Sequence, residues 1–192
     1  MRFGKIMVLP LLLGLAVAAC SRPPAWRTTD VSGKLPPLDF TLTDTAGQVC
    51  HGGDWRGRIV LLFTGFTRCP GVCPATLARL ATVLGEIEGS EENVRVLFVS
   101  LDPEHDRGEV LEAYVRRFGP WFVGLTGTPA QLDARARRYF LGYRREKTAT
   151  GHTVIHSDVI VVFDRRGRAR LLARSTTPPD ALKADLIRLL EE

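Results

Sequence analysis

The chain has 192 residues, a formal net charge of +5, and 45% hydrophobic and 24% charged residues. So mild a positive charge does not argue for nucleic-acid binding, and the hydrophobic content is that of a globular protein. Four cysteines are too few for a fold held together by disulfides, so a close pair of them is better explained by chemistry than by structural cross-linking.

The first twenty residues resemble the signal sequence of bacterial lipoproteins. Arg2 and Lys5 give a charged start, a short apolar run covers 6–19, and small residues precede Cys20. The run is shorter than the roughly 20 residues that a membrane-spanning helix needs. We therefore predict a signal peptide over 1–19, lipid attachment at Cys20 and a protein tethered to a membrane outside the cytoplasm. The alternative is an uncleaved segment with an ordinary cysteine.

The next segment, 20–37, is rich in Pro, Ser and Thr, and we expect it to be a tether that buries little. A single domain would then cover 38–192. Its first predicted element is a β-hairpin formed by 38–42 and 48–50, with Gly47 in the turn.

Strands and helices alternate after this hairpin. Continuous apolar runs predict buried strands at 58–66 and 94–101, and helical spacing predicts a helix at 73–88 and another that Asp106 could cap. Further predicted elements are a strand at 122–125, a helix at 129–140, a strand at 158–164, its hairpin partner at 168–173 and a helix at 179–190. This order predicts an α/β domain of the thioredoxin-like kind, in which helices flank a mixed central sheet.

Two cysteines, Cys69 and Cys73, stand where the strand at 58–66 gives way to a helix. Positions four apart share one face of a helix, so both sulfurs could reach a common point. The positive end of the helix would favour thiolate over thiol, and thiolates serve both disulfide exchange and copper binding. A purely structural disulfide is the alternative, although closing so short a loop stabilises little.

Histidines and a third thiol are further candidates. His156 stands just before the strand at 158–164, where a lone histidine would ordinarily be a core or surface residue. We expect His152 to lie exposed on a loop, with a spare ligand as the alternative, and His105 to lie on the surface. Cys50, which is followed by His51, is expected to be buried and inert.

Residues 64–74 and 100–104, together with His156, resemble the Sco/SenC family of thioredoxin-like copper metallochaperones. Thioredoxins have two residues between their cysteines and peroxiredoxins usually have one attacking cysteine here, so a pair with three spacers and a distant histidine is specific. The resemblance implies that Cys69, Cys73 and His156 bind copper, as Cu(I) or Cu(II).

The resemblance also implies a function, which is to assist assembly of the dinuclear copper centre of cytochrome c oxidase. The implied partners are the copper-bearing subunit of the oxidase, a thioredoxin-like reductant and another copper chaperone. The implied location is the bacterial cell envelope, lipid-anchored and facing the periplasm or exterior. Because Cys69 and Cys73 could also form a disulfide, a thiol-disulfide oxidoreductase that keeps a partner's copper-site cysteines reduced is the alternative.

Two positions depart from the pattern of the family. The family often has an acidic residue between the cysteines, where Gly71 stands, and Asp directly before the histidine, where Ile155 stands. Both departures remove negative charge beside the site. Asp102 and Pro103 resemble the family's loop after the second strand of the domain core and are expected to shape the rim of the site.

A basic cluster follows the third long helix of the prediction. Its default interpretation is a solvated surface, and a docking surface for an acidic partner or anionic lipid is the alternative. The cluster consists of Arg135, Arg137, Arg138, Arg144, Arg145 and Lys147.

Overall fold

The computed structural model describes residues 25–148 and 151–192, so the predicted signal at 1–19 and Cys20 lie outside the described residues. The strands are β1 Thr29–Asp30, β2 Thr41–Asp44, β3 Val49–His51, β4 Ile59–Gly65, β5 Val94–Ser100, β6 Phe122–Thr126, β7 Tyr143–Thr148, β8 Gly151–His156, β9 Val159–Phe163 and β10 Ala169–Arg174. The helices are α1 Val72–Gly85, α2 Ser90–Asn93, α3 Glu109–Arg116, α4 Pro129–Arg138 and α5 Pro179–Glu191, with a 3-10 turn at Gly52–Trp55. Over the described ranges, no helix is both long and apolar enough to cross a membrane.

Eight strands form one mixed sheet in the order β1, β10, β9, β4, β5, β6, β2, β3. The central strands β4, β5 and β6 are parallel, whereas β9 and β10 add to them antiparallel. Strands β2 and β3 form the N-terminal hairpin that the sequence predicts. The prediction of a thioredoxin-like α/β fold with a mixed sheet is confirmed.

The run predicted as a buried strand at 58–66 is β4, and all seven of its residues are buried. Because successive side chains of a strand point to opposite faces, β4 contributes to two core layers. Leu61 and Phe63 pack with residues of α1, α3 and α5, whereas Val60 and Leu62 pack with residues of α4. Helices on both faces explain why the run is continuously apolar rather than alternating.

The prediction that Asp106 caps the next helix is wrong. Helix α3 begins after Gly108, whose φ of 51° is a left-handed value that glycine adopts readily. Asp106 is fully buried, and its carboxylate instead accepts hydrogen bonds from Thr67 and Ser100. The carboxylate therefore joins two loops of the sheet edge rather than the start of a helix.

The described part of the segment predicted as a tether, 25–37, packs against the domain. The guanidinium groups of Arg170 and Arg188 lie over the indole ring of Trp26, at 5.3 and 3.8 Å from the ring centroid. The next two backbone amides donate to the buried carboxylate of Asp185, and β1 pairs with β10. Part of the segment predicted as a tether is therefore held on the domain by a cation–π pair and a buried acceptor.

Strands β7 and β8 form a separate two-stranded hairpin that the sequence pattern did not indicate. Charged and polar residues dominate β7, so its composition lacks the apolar signal of a buried strand. On β8, Val154 is buried and packs with Phe66 and Leu101, which lie in the loops after β4 and β5. This contact places the last residue of β8, His156, beside the edge of the main sheet.

Candidate metal centre

The candidate site lies at the carboxyl ends of two parallel strands, β4 and β5. The amide of Leu101 donates to the carbonyl of Gly65 at 2.8 Å, so the loops that follow the two strands leave the sheet side by side. The carboxyl edge of parallel strands is where ligands of open α/β sheets commonly bind. The loop after β4 carries Cys69 and leads into α1.

The two cysteines are close together, but not because both lie on one face of a helix. Helix α1 begins at Val72, so Cys73 lies in its first turn while Cys69 lies outside the helix. The amide of Cys69 donates to the carbonyl of Phe66 at 3.2 Å, which closes a turn. The amide of Cys73 then donates to Cys69 Sγ at 3.5 Å. The prediction of proximity is correct, but a tight loop at the helix start produces it.

The environment of Cys73 opposes the predicted thiolate. Its side chain is fully buried, and burial raises the pKa of the Cys73 thiol despite the helix start. The chain leaves no spare room around the sulfur, because a Cβ added at Gly65 would lie 2.6 Å from Cys73 Sγ. At Cys73, burial therefore outweighs the contribution that the helix end was predicted to make toward the thiolate.

His156 meets the cysteines from the other side of the site. Its Nε2 lies 3.4 Å from Cys73 Sγ, and its Nδ1–H donates to the carbonyl of Ser157 at 2.8 Å. Burial lowers the pKa of His156, and the rings of Phe63 and Phe66 contact its imidazole edge to face. The result is a neutral imidazole in one tautomer, with the Nε2 lone pair directed toward the thiols.

The structure thus brings together the three residues that the resemblance names. The sulfurs of Cys69 and Cys73 and a ring nitrogen of His156 all lie within 4.8 Å of one another, and both thiols are free. Two sulfurs and one imidazole are a donor set that suits copper in either common oxidation state. Within the described residues this is the one group of three or more histidine, cysteine or acidic side chains placed to hold a metal.

The thiols of Cys73 and Cys69 affect the ionisation of a nearby buried hydroxyl, that of Tyr114. Burial raises the pKa of Tyr114, and the neighbouring sulfurs of Cys73 and Cys69 raise it further. In the described part of the chain, this hydroxyl has no hydrogen-bond partner.

Two buried carboxylates hold the loop that carries Cys69. Thr67 donates to Asp106 through its amide at 2.6 Å and its hydroxyl at 2.5 Å. Arg68 donates to Asp102 at 2.7 Å. Burial alone would raise the pKa of Asp102, but hydrogen bonds from Arg68 and from His152 outweigh it and lower that pKa. Asp102 was predicted to shape the rim of the site, but its carboxylate is fully buried and holds the loop through Arg68.

His152 is the residue that sequence reasoning placed least well. It lies on strand β8 rather than on an exposed loop, and its Nε2 contacts Asp102 at 3.0 Å. It does not belong to the group that could hold a metal. The alternation of His152, Val154 and His156 was the available signal, because residues two apart face the same side of a strand.

The remaining candidates do not belong to the group that could hold a metal. His105 is exposed, as predicted, and His51 is exposed too. Cys50 is half-buried rather than buried; burial raises the pKa of its thiol. Beside the site, Gly71 and Ile155 are exposed, so the two positions where the family often has acidic residues face solvent.

The basic cluster does not form one charged face. Arg135 is 2% exposed, and burial lowers its pKa to about 10. Three other members form ion pairs: Arg138 with Asp39, Arg144 with Glu146 and Arg145 with Glu104. Burial and pairing remove most of the free charge, which argues against a docking surface made of all six residues.

Comparison with known proteins gives a consistent set of relatives. A family model described as SCO1/SenC matches residues 33–191. The human "Protein SCO1 homolog, mitochondrial" is 37% identical over 124 residues, which cover 60% of this chain and 41% of the relative. The chain spans between 40% and 65% of the length of the first curated relatives it matches.

Two solved structures with copper bound are similar to the chain. Bradyrhizobium japonicum ScoI is 30% identical with a TM-score of 0.73, and the match covers 80% of this chain and 98% of that protein. Arabidopsis thaliana ScoI is 29% identical with a TM-score of 0.74, over 81% of this chain and 98% of that protein.

Proposed function

The chain belongs to the SCO1/SenC family, and we propose that it is a copper chaperone that assists assembly of the dinuclear copper centre of a cytochrome c oxidase. One observation carries the proposal: Cys69, Cys73 and His156 place two sulfurs and one imidazole nitrogen within 4.8 Å of one another. Similar proteins of known structure contain copper.

The donor set suits a protein that accepts and releases copper. Two thiolates alone satisfy Cu(I), while Cu(II) gains from the added imidazole. A set of three protein ligands leaves room for a ligand from a partner, which transfer between proteins requires. The proposed recipient is the copper-bearing subunit of the oxidase, and the proposed source is another copper chaperone.

Copper loading and disulfide formation exclude each other in this proposal. Both Cys69 and Cys73 are free, and a disulfide between them would remove both sulfur donors. Outside the cytoplasm the environment is oxidising, so a thioredoxin-like reductant is a necessary partner.

The test is a copper titration of the full chain in its reduced and its mildly oxidised forms, with free thiols counted before each titration. We expect one copper per reduced chain and a large loss of affinity after oxidation. Equal affinity of the two forms would show that the cysteines are not ligands and would refute the proposed chaperone function.

We further propose that the protein is lipid-anchored through Cys20 in a bacterial cell envelope and faces the periplasm or exterior. The support is the sequence pattern of 1–19 alone. Replacement of Cys20 by Ala should move the protein from the membrane fraction to the soluble fraction of cells. Mass spectrometry of the membrane-bound form should find the lipid on Cys20, and an unmodified residue there would refute the anchor.

A thiol-disulfide oxidoreductase is the second candidate, and the unequal burial of the two thiols favours it. Cys69 is half-buried, whereas Cys73 is fully buried behind it. An accessible sulfur could attack a partner's disulfide, after which the buried one would displace the partner and close the Cys69–Cys73 bond. His156→Ala separates the two functions, because copper binding uses the imidazole and disulfide exchange does not.

A further inference from the structure

Asp102 is a fully buried carboxylate that lies between the two parts of the chain that carry the candidate ligands. One oxygen, Oδ2, accepts a hydrogen bond from Arg68 at 2.7 Å. The other, Oδ1, lies 3.0 Å from Nε2 of His152. Its backbone amide donates to the hydroxyl of Ser100 at 3.1 Å, which fixes the carboxylate at the end of β5.

The first contact reaches the cysteines. Arg68 directly precedes Cys69, in the loop between β4 and α1. The side chain of Arg68 is 43% exposed, yet its guanidinium reaches inward to a carboxylate with no exposed surface. A charge-assisted hydrogen bond of this kind is stronger than a neutral one and holds the neighbouring residue in place.

The second contact reaches the histidine. His152, Val154 and His156 alternate along β8, so their side chains face the same side of the strand. The first of them contacts Asp102, the second packs against Phe66, and the third contacts Cys73. One face of β8 therefore contacts the rest of the domain through three side chains, of which His156 is the last.

The hairpin depends on such contacts because it is not part of the main sheet. An isolated two-stranded hairpin is at best marginally stable in water. A second polar contact supports the same side, since Arg145 donates to the carbonyl of Leu101 at 3.1 Å. Both polar contacts end on the loop after β5.

We propose that Asp102, through Arg68 on one side and His152 on the other, is a positioning residue that sets the distance between the cysteine pair and His156. The inference rests on the proposed copper-binding function and deepens it. Without the bridge, the thiols keep their common loop while His156 loses its alignment. Cu(II), which needs the imidazole, should then be affected more than Cu(I).

The experiment compares the full chain with Asp102→Ala, His152→Ala and His152→Gln. We expect the two alanine variants to lose about tenfold or more in Cu(II) affinity, the range found when residues that orient ligands are removed. Cu(I) affinity should change about twofold at most, and the nitrogen coupling of bound Cu(II) in electron paramagnetic resonance should weaken. His152→Gln should keep much of the Cu(II) affinity and of the nitrogen coupling, because its amide can still donate to Asp102.

Asp164→Asn is the matched control. Asp164 is also a buried carboxylate, paired with Arg168 and Arg170, but it lies at the opposite end of β9 from His156. We expect this variant to lower the melting temperature without altering the ratio of Cu(II) to Cu(I) affinity. If Asp102→Ala and His152→Ala behave as the control does, the bridge is merely structural and the proposal is refuted.

A readout without copper keeps the two proposals distinguishable. In the metal-free protein, the imidazole of His156 contacts the rings of Phe63 and Phe66 at centroid distances of 6.2 and 6.3 Å. Proton contacts between these rings in nuclear magnetic resonance should be lost in His152→Ala and kept in Asp164→Asn. Failure of the wild-type chain to bind copper would refute the proposed function, whereas unchanged ring contacts in His152→Ala would refute the bridge.

Discussion

The two regions that form the candidate site differ in how they are held. The cysteine loop follows β4, a strand buried on both faces at the centre of the sheet, and two buried carboxylates fix it. The β7–β8 hairpin, which carries His156, is a separate ribbon of largely polar residues held from one face. The buried Cys73 is thus part of the domain core, with the half-buried Cys69 packed against it, while His156 lies on a hairpin outside the main sheet.

This difference suggests a division of labour between the regions. The cysteine loop, with its two thiols, would retain Cu(I), and the hairpin would supply the imidazole that Cu(II) needs.

The largest effect is expected at the root of the cysteine loop. In Gly65→Ala the new methyl group would lie 2.6 Å from Cys73 Sγ and 2.8 Å from the ring of Phe98. We expect a loss of about 1–3 kcal/mol in the free energy of unfolding, as for other overpacked cores, and weaker binding of both Cu(I) and Cu(II). Chemical denaturation and copper titration measure the two effects.

Gly142→Ala is the matched control for Gly65→Ala. Gly142 lies directly before β7, and an added Cβ there meets nothing within 4 Å. We expect wild-type stability and copper binding. Equal losses in both variants would show that the cysteine loop is packed no more tightly than the start of the hairpin.

The next effect is confined to the hairpin. His156→Ala should lower the affinity for Cu(II) by more than about a hundredfold, since it removes a ligand rather than a residue that orients one. It should lower Cu(I) affinity much less, because two thiolates satisfy Cu(I). Competition titrations in each oxidation state measure this ratio, and similar losses in both states would contradict the division of labour.

The pH dependence of copper binding tests the buried thiol. Because burial raises the pKa of Cys73, its thiol remains protonated at neutral pH, and copper loading must displace that proton. Affinity should therefore rise by about tenfold per pH unit for each proton released, and the rise should continue above the ordinary thiol pKa of about 8.5. A plateau near pH 8 would show that Cys73 ionises like an exposed cysteine.

The smallest effect is expected at Cys50, on strand β3 away from the site. Cys50→Ala should leave copper stoichiometry unchanged and cost about 1 kcal/mol of stability or less, the usual size for a half-buried side chain. Lost copper binding would make Cys50 a ligand or a redox partner of the pair. Calorimetry of the variant and of the wild type, each with and without copper, measures both quantities.

The central sheet was predictable because its strands are buried on both faces, so that continuous apolar runs such as 58–66 stand out. Cys69 and Cys73 could be singled out from their spacing, whereas His156 was named only through the resemblance to the Sco/SenC family. The hairpin β7–β8 was missed because most of its residues are polar, and strands are predicted from the spacing of apolar residues. The roles of Asp102 and Asp106 were missed for a related reason. Their hydrogen-bond partners, Arg68 and Thr67, are distant in sequence, so no local pattern shows the contacts.

If the cysteine loop and the hairpin bind one copper ion together, ligands from both regions should appear in its first shell. X-ray absorption of the copper-loaded full chain in both oxidation states measures this. We predict two sulfur neighbours in both states, from Cys69 and Cys73, and an imidazole nitrogen that is retained in the Cu(II) state. A first shell without sulfur, or a Cu(II) spectrum that His156→Ala leaves unchanged, would contradict the account.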